Sequence, residues 1–143
     1  MFMGEYAHNI DKKGRIIIPA KFREELGEKV IITRGFDGCL SVYTMEQWEL
    51  IYAQLVKLPV TKKEARSFTR KMMSKASTCE FDAQGRTLIP SSLVKEADLQ
   101  KECMIIGAGN HVEIWSKERW EYIDELSDDA FEEMAESLTE YLQ

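Results

Sequence analysis

Two short stretches of this chain hold residues whose types and spacing suit contact with nucleic acid. Asp11-Lys12-Lys13-Gly14-Arg15 runs into Ile16-Ile17-Ile18-Pro19, and Asp82-Ala83-Gln84-Gly85-Arg86 runs into Thr87-Leu88-Ile89-Pro90. Aspartate at the first position of a four-residue turn and glycine at the fourth are the preferences of a type I turn. An arginine directly after such a turn is presented outward. Its planar fork suits bidentate contact with the O6/N7 edge of guanine or with a phosphate. A purely structural use of the same residues is an Asp11–Arg15 or Asp82–Arg86 ion pair that braces the turn. The two uses are compatible, because the aspartate can orient an arginine that also reads DNA. Lys12, Lys13, Lys21 and Arg23 are candidate phosphate contacts, which position a protein without specifying sequence; otherwise they are solvated surface charge. Gly14 and Gly85 are read as turn residues.

Other chemistry finds little support. Gly-x-Ser-x-Gly, the P-loop and Gly-x-Gly-x-x-Gly are all missing from the sequence. The histidines are His8 and His111, and the cysteines are Cys39, Cys79 and Cys103. An odd number of well-separated cysteines argues against a disulfide framework, and no spacing matches a zinc site. Buried free thiols are the expectation. Ser91 and Ser92 follow Pro90 as early helix residues, His111 is a lone strand histidine, and Asp128-Asp129 belong to a solvated acidic turn. The sequence therefore predicts no catalytic residues, no metal and no cofactor.

The elements that must position the two arginines come as a repeat. Asp, Gly, Arg, Ile and Pro recur in step at an offset of 71 residues, and Val42-Tyr43-Thr44 with Trp48 is echoed by Ile114-Trp115-Ser116 with Trp120. Each copy reads as an extended stretch (Glu5 to Ile10, or Ser77 to Phe81), the turn, and a strand (Arg15 to Ile18, or Arg86 to Ile89). Proline then ends the strand and suits the first turn of a short helix; the first of these runs from Pro19 to Leu26 and closes on Gly27. Two further strands complete each copy: Val30 to Thr33 and Cys39 to Tyr43, or Cys103 to Ile106 and His111 to Trp115. A copy of about 45 residues buries little core alone, so the two are expected to pair about a pseudo-two-fold axis into one barrel-like core.

Helices lie between and after the copies. Thr44-Met-Glu-Gln47 and Thr61-Lys-Lys-Glu64 read as capping boxes, and Ser127-Asp128-Asp129 as the acidic start of a last helix. Ala65, Phe68 and Met72 lie on one face of the middle helix and Lys63, Arg66 and Arg70 on another. The last helix has the stripe Phe131, Met134, Ala135, Leu138 and Tyr141. This much amphipathic surface exceeds what the core can cover, and the surplus reads as a subunit interface. The basic face of the middle helix suits either DNA flanks or the acidic C-terminal helix of the same or a neighbouring subunit.

The composition is globular, 44% hydrophobic and 31% charged, with a net charge of −6. The charge is segregated: residues 1–60 are balanced, 61–101 carry +4 and 102–143 carry −10. Nucleic-acid affinity depends on the local patch rather than the sum. No apolar run is long enough for a membrane span, and the first residues have no basic-then-apolar pattern, so a cytoplasmic, nucleoid-associated protein without membrane contact is expected.

The doubled Asp-x-x-Gly-Arg with Ile-Pro after it, and the opening Met1-Phe2-Met3-Gly4-Glu5-Tyr6, resemble the MraZ family, whose halves each resemble the AbrB/SpoVT swapped-hairpin DNA-binding module. The resemblance covers the whole chain. It implies an α+β fold: a pseudo-two-fold swapped-hairpin (AbrB-like) β-barrel from tandem repeats at 5–48 and 76–120, a helical connector at 49–75 and an acidic C-terminal helix at 121–143. It implies a transcription regulator that binds double-stranded promoter DNA with short direct repeats, upstream of the division and cell-wall gene cluster and its own gene. It also implies a ring-like homo-oligomer. The family motif falls on Asp11 and Arg15, and on Asp82 and Arg86. The second turn, with Ala83-Gln84 for Lys12-Lys13, is the less basic. The rival reading is an oligomeric scaffold or antitoxin-like module that does not read DNA.

Overall fold

The computed structural model describes residues 1–142; Gln143, the end of the acidic C-terminal segment, lies outside the described residues. Each Asp-x-x-Gly turn orders the elements beside it. The first joins β1 (Glu5–Asn9) to β2 (Arg15–Ile17), and the second joins β5 (Ser77–Glu80) to β6 (Arg86–Leu88). β2 and β6 stop at three residues because Pro19 and Pro90 follow two positions on, with φ −49° and −53° and no N–H to donate. The prolines cap α1 (Ala20–Leu26) and α4 (Ser91–Glu96). The first helix thus begins one residue later than expected, since the Pro19 carbonyl already accepts from Phe22 and Arg23. The remaining strands are β3 (Lys29–Arg34), β4 (Leu40–Thr44), β7 (Glu102–Gly107) and β8 (Val112–Ser116).

Pairing crosses the repeats. The main sheet is antiparallel with order β1-β7-β8-β4-β3-β5, so the first strand of each repeat lies against a strand of the other. β2 and β6 form a separate two-stranded ribbon in which Arg15 faces Leu88, Ile16 faces Thr87 and Ile17 faces Arg86. Exchanging the repeats maps this register onto itself, so the pseudo-two-fold axis passes through the ribbon. Ile18 N–H donates to the Gly85 carbonyl and Ile89 N–H to that of Gly14, at 3.1 and 2.8 Å. The two halves are swapped as the resemblance implies, and the fold is α+β. The barrel-like core is not closed by continuous strand pairing. β1 and β5 are the sheet's edges, and only the single bridges Ile10–Ile16 and Phe81–Thr87 tie them to the ribbon.

One core serves both repeats. Ile16, Ile18, Phe22, Val30 and Ile32 of the first pack with Ile89, Leu93, Ile105, Val112 and Ile114 of the second, all 2% exposed or less. Each such side chain contributes roughly 1.5–3 kcal/mol when fully buried, and neither repeat assembles the set alone.

Helices cover the opposite face of the sheet. Trp48 and Leu55 of α2 (Met45–Leu55) and Met72 of α3 (Lys63–Ser74) pack on Ile31 and Tyr43. Trp120 and Ile123 of α5 (Lys117–Asp129) pack beside Trp115, Cys39 and Ile106. Thr44 caps α2 by accepting from Gln47 N–H at 3.0 Å, and Ser116 caps α5 in the same way from Arg119. The second capping box does not form. Thr61 sits inside a turn closed by Lys62 N–H on the Pro59 carbonyl, and α3 starts at Lys63 without a side-chain cap. Nor does Ser127 open a helix. Its hydroxyl donates back to the Ile123 carbonyl at 2.8 Å, which satisfies it within α5, and a new helix, α6 (Phe131–Ser137), begins after Ala130.

Candidate nucleic-acid interface

In the first turn one Asp11 oxygen accepts from the backbone N–H groups of Lys13 and Arg15, both at 2.9 Å, and the other from Arg15 Nε at 2.7 Å. The Asp11 carbonyl accepts from Gly14 N–H at 3.0 Å, and Gly14 takes φ +89°, the left-handed region that favours glycine. The second turn repeats this. Asp82 accepts from the backbone N–H groups of Gln84 and Arg86 and from Arg86 Nε, and Gly85 has φ +79°. The backbone N–H of Arg15, then its guanidinium and the Lys13 N–H, hold the Asp11 carboxyl below its ordinary range; Arg86 and Gln84 do the same for Asp82. The bracing ion pair of the sequence reading therefore exists, and it uses only Nε. Among the described residues the two terminal nitrogens of Arg15 make no hydrogen bond, while Arg86 Nη2 donates to Gln84 Oε1 at 3.2 Å.

Strand alternation sorts the ribbon's side chains. Ile16 and Thr87 point inward, at 0% and 1% exposure. Arg15, Ile17, Arg86 and Leu88 share the outer face, with Ile17 39% and Leu88 57% exposed. This face pairs each arginine with an aliphatic residue across the strands. The sequence reading took Ile17 and Leu88 only as strand residues, although their place two residues from each arginine was the signal that would have found them.

The other cations divide. Lys12 and Lys13 are exposed at the first turn. Arg23 lies at the second: its Nε donates to the Ile18 carbonyl at 2.8 Å, and a methyl group on Gly85 would stand 2.5–2.8 Å from its guanidinium. Lys21 is engaged elsewhere on α1, with its ammonium over the Tyr6 and Phe22 rings at 5.5 and 5.8 Å. Beside the first turn is an open cleft of about 880 Å³, bounded by Lys12, Lys13, Leu88, Val94 and Lys101. Lys101, which the sequence reading did not single out, adds a cation there.

No group of three or more potential metal ligands exists among the described residues. Burial pushes the Cys103 thiol up to about 11 and raises those of Cys39 and Cys79. His111 is held by Asn110 Oδ1 and Glu113 Oε2 against the Tyr43 ring. No helix among the described residues is long and apolar enough to cross a membrane.

Comparison with known proteins gives matches along the whole chain. A family model described as "MraZ protein, putative antitoxin-like" matches residues 1–71 and again 72–141. A protein named transcriptional regulator MraZ from Ligilactobacillus salivarius is 51% identical over 141 residues, 99% of each chain. Proteins of the same name from a Thermoanaerobacter species and from Caldanaerobacter subterraneus subsp. tengcongensis are 55% and 53% identical, over 96% and 99% of each chain.

Proposed function

The chain belongs to the MraZ family, and from that premise we propose that it is a DNA-binding transcription regulator. It recognises short direct repeats in the promoter of the division and cell-wall gene cluster, its own gene included. It acts there as a repressor, by occupying the promoter as a homo-oligomer and excluding polymerase.

The observation that carries the reading is the outer face of the β2–β6 ribbon. The major groove admits a two-stranded ribbon, guanine offers O6 and N7 to an arginine fork, and the thymine methyl accepts apolar contact. Arg15 and Arg86, oriented through Nε by Asp11 and Asp82, present their terminal nitrogens beside Ile17 and Leu88. Lys12, Lys13, Lys101 and Arg23 flank this face as phosphate contacts. Each subunit's grip is modest, and subunits linked over evenly spaced repeats gain ~10²–10⁴ in avidity when all engage together.

The test is a gel shift on the protein's own promoter at two salt concentrations, against a scrambled duplex of equal length. Specific binding that weakens with salt is expected. Equal binding to both duplexes, or none, removes the DNA reading and leaves the scaffold or antitoxin-like alternative.

A further inference from the structure

The outer face of the β2–β6 ribbon carries two aliphatic side chains that the protein's own packing leaves unused. Ile17 and Leu88 are exposed, and neither joins an apolar cluster among the described residues. A lone exposed aliphatic needs no explanation. These two are not alone. They correspond across the repeats at the offset of 71 residues. Leu88 lies opposite Arg15 and Ile17 opposite Arg86, so the axis that relates the arginines relates the aliphatics too. The outward positions of the ribbon are therefore four: arginines on one diagonal and aliphatics on the other. The solvated face of an antiparallel pair is ordinarily polar, and half of this one is not.

The spacing of the array suits stacked base pairs. Paired strands lie ~4.8 Å apart, and alternate residues of one strand ~6.6 Å apart. At ~3.4 Å per base step, each arginine has an aliphatic neighbour one or two base pairs away. Leu88 leans toward the first turn, where a methyl group on Gly14 would lie 3.7 Å from its Cδ1. That places it beside Arg15. In the major groove the edges of guanine, cytosine and adenine offer only donors and acceptors, and the apolar group there is the thymine C5 methyl. An aliphatic side chain set against a polar edge strips its water and returns no hydrogen bond. Set against a thymine methyl, it lets two apolar surfaces leave water together.

We propose that Ile17 and Leu88 are specificity-determining residues that read thymine methyl groups, Leu88 beside the guanine taken by Arg15 and Ile17 beside the guanine taken by Arg86. Each corner of the ribbon then selects a guanine with a thymine close by and disfavours an unbroken run of G·C pairs. This rests on reading the protein as DNA-binding, and it adds a base preference that the arginines do not supply. Packing on the arginine stems alone would make both aliphatics indifferent to the base, and the experiment separates the two.

The probe is a fragment of the protein's own promoter prepared twice, once with thymidine and once with deoxyuridine throughout. The second duplex keeps its base pairing and lacks every C5 methyl group. The full native chain is expected to bind the thymidine duplex at least about fourfold more tightly, the factor that accompanies one methyl group leaving water. In Ile17→Ala and in Leu88→Ala this ratio should fall, and with both changes it should approach one. Each ratio compares two duplexes on a single protein preparation, so a partly unfolded sample does not alter it. Ile17→Gln and Leu88→Gln, which keep a long side chain, give a second set should an alanine variant lose its fold. Equal native affinity for the two duplexes overturns the proposal. So does a preference that the doubly changed chain keeps in full, and binding that falls equally on both duplexes leaves only support of the arginines. A native chain that binds neither duplex overturns the DNA reading itself.

Discussion

The two turns share every hydrogen bond that their aspartates make to the backbone and to arginine Nε, yet they differ in what stands behind them. Arg23 crosses the second turn so closely that Gly85 is buried. An offset of 71 puts Val94 in the corresponding place at the first. Val94 reaches no such contact, and a cleft opens there instead, with Lys12 and Lys13 exposed at its mouth. The repeat reproduces the backbone of each turn, while residues outside the motif set its charge and stiffness. Compared by their tips alone, the second turn looks poor in cations. In the folded molecule the first repeat lends it Arg23.

The comparison is broken most directly at the arginines. Arg15→Ala is expected to cost about 1–3 kcal/mol per site in operator affinity, with a larger apparent loss in an oligomer engaging several repeats. Arg86→Ala should cost as much or less. Both variants should keep their thermal midpoint, because the pairs they break are part-exposed. Preserved operator affinity in both would leave only the bracing role.

Arg23 sharpens the difference. Arg23→Ala removes its bond to Ile18, about 0.5–1.5 kcal/mol of stability, and loosens the second turn. In double-mutant cycles its effect on operator binding should couple to Arg86→Ala and add independently to Arg15→Ala. Equal coupling to both would mean that the turns are equivalent after all.

Phosphate binding at the first tip is a smaller effect. With Lys12 and Lys13 both changed to alanine, the slope of log affinity against log salt should become shallower by about 1.8, or ~0.9 for each phosphate that is no longer neutralised. An unchanged slope would show that these lysines face solvent in the complex.

The smallest effect is that of pH. Asp11 and Asp82 are held below their ordinary value, so their contribution is complete above about pH 4 and is lost as pH falls through the lower native values. Between pH 5 and 8 these two groups should contribute no change in melting temperature. Asp11→Asn and Asp82→Asn should both flatten the acid limb, and to a similar extent, since the hydrogen bonds are the same.

Much of this was legible in the sequence because it is local. Asp, Gly and Pro at fixed offsets dictate turn, short strand and helix start to within a residue, and Thr44 with Trp48 marks a capped amphipathic helix. Strand partners were not legible. β1 lies on β7 and β5 on β3, pairings that cross between repeats and that no local pattern encodes. Ser127 misled because serine opens helices and also sits inside them when it bonds back to a carbonyl. At the site, Arg15, Arg86, Lys12 and Lys13 were visible through their spacing. The place of Arg23 was not, since it depends on a fold that brings together residues 62 apart in the chain.

The exchange of Ile18 N–H to Gly85 and Ile89 N–H to Gly14 also bears on how the protein is made. The first turn is translated long before the second, and at about 5–20 residues per second the 71-residue gap takes roughly 4–14 seconds. Until then the nascent first repeat has neither its ribbon partner nor half of its core. A message cut short near Lys75 should yield a chain that proteases digest as unfolded. Every folded copy has therefore been synthesised past both turns, and a fragment bearing one turn should lack the two-stranded ribbon altogether.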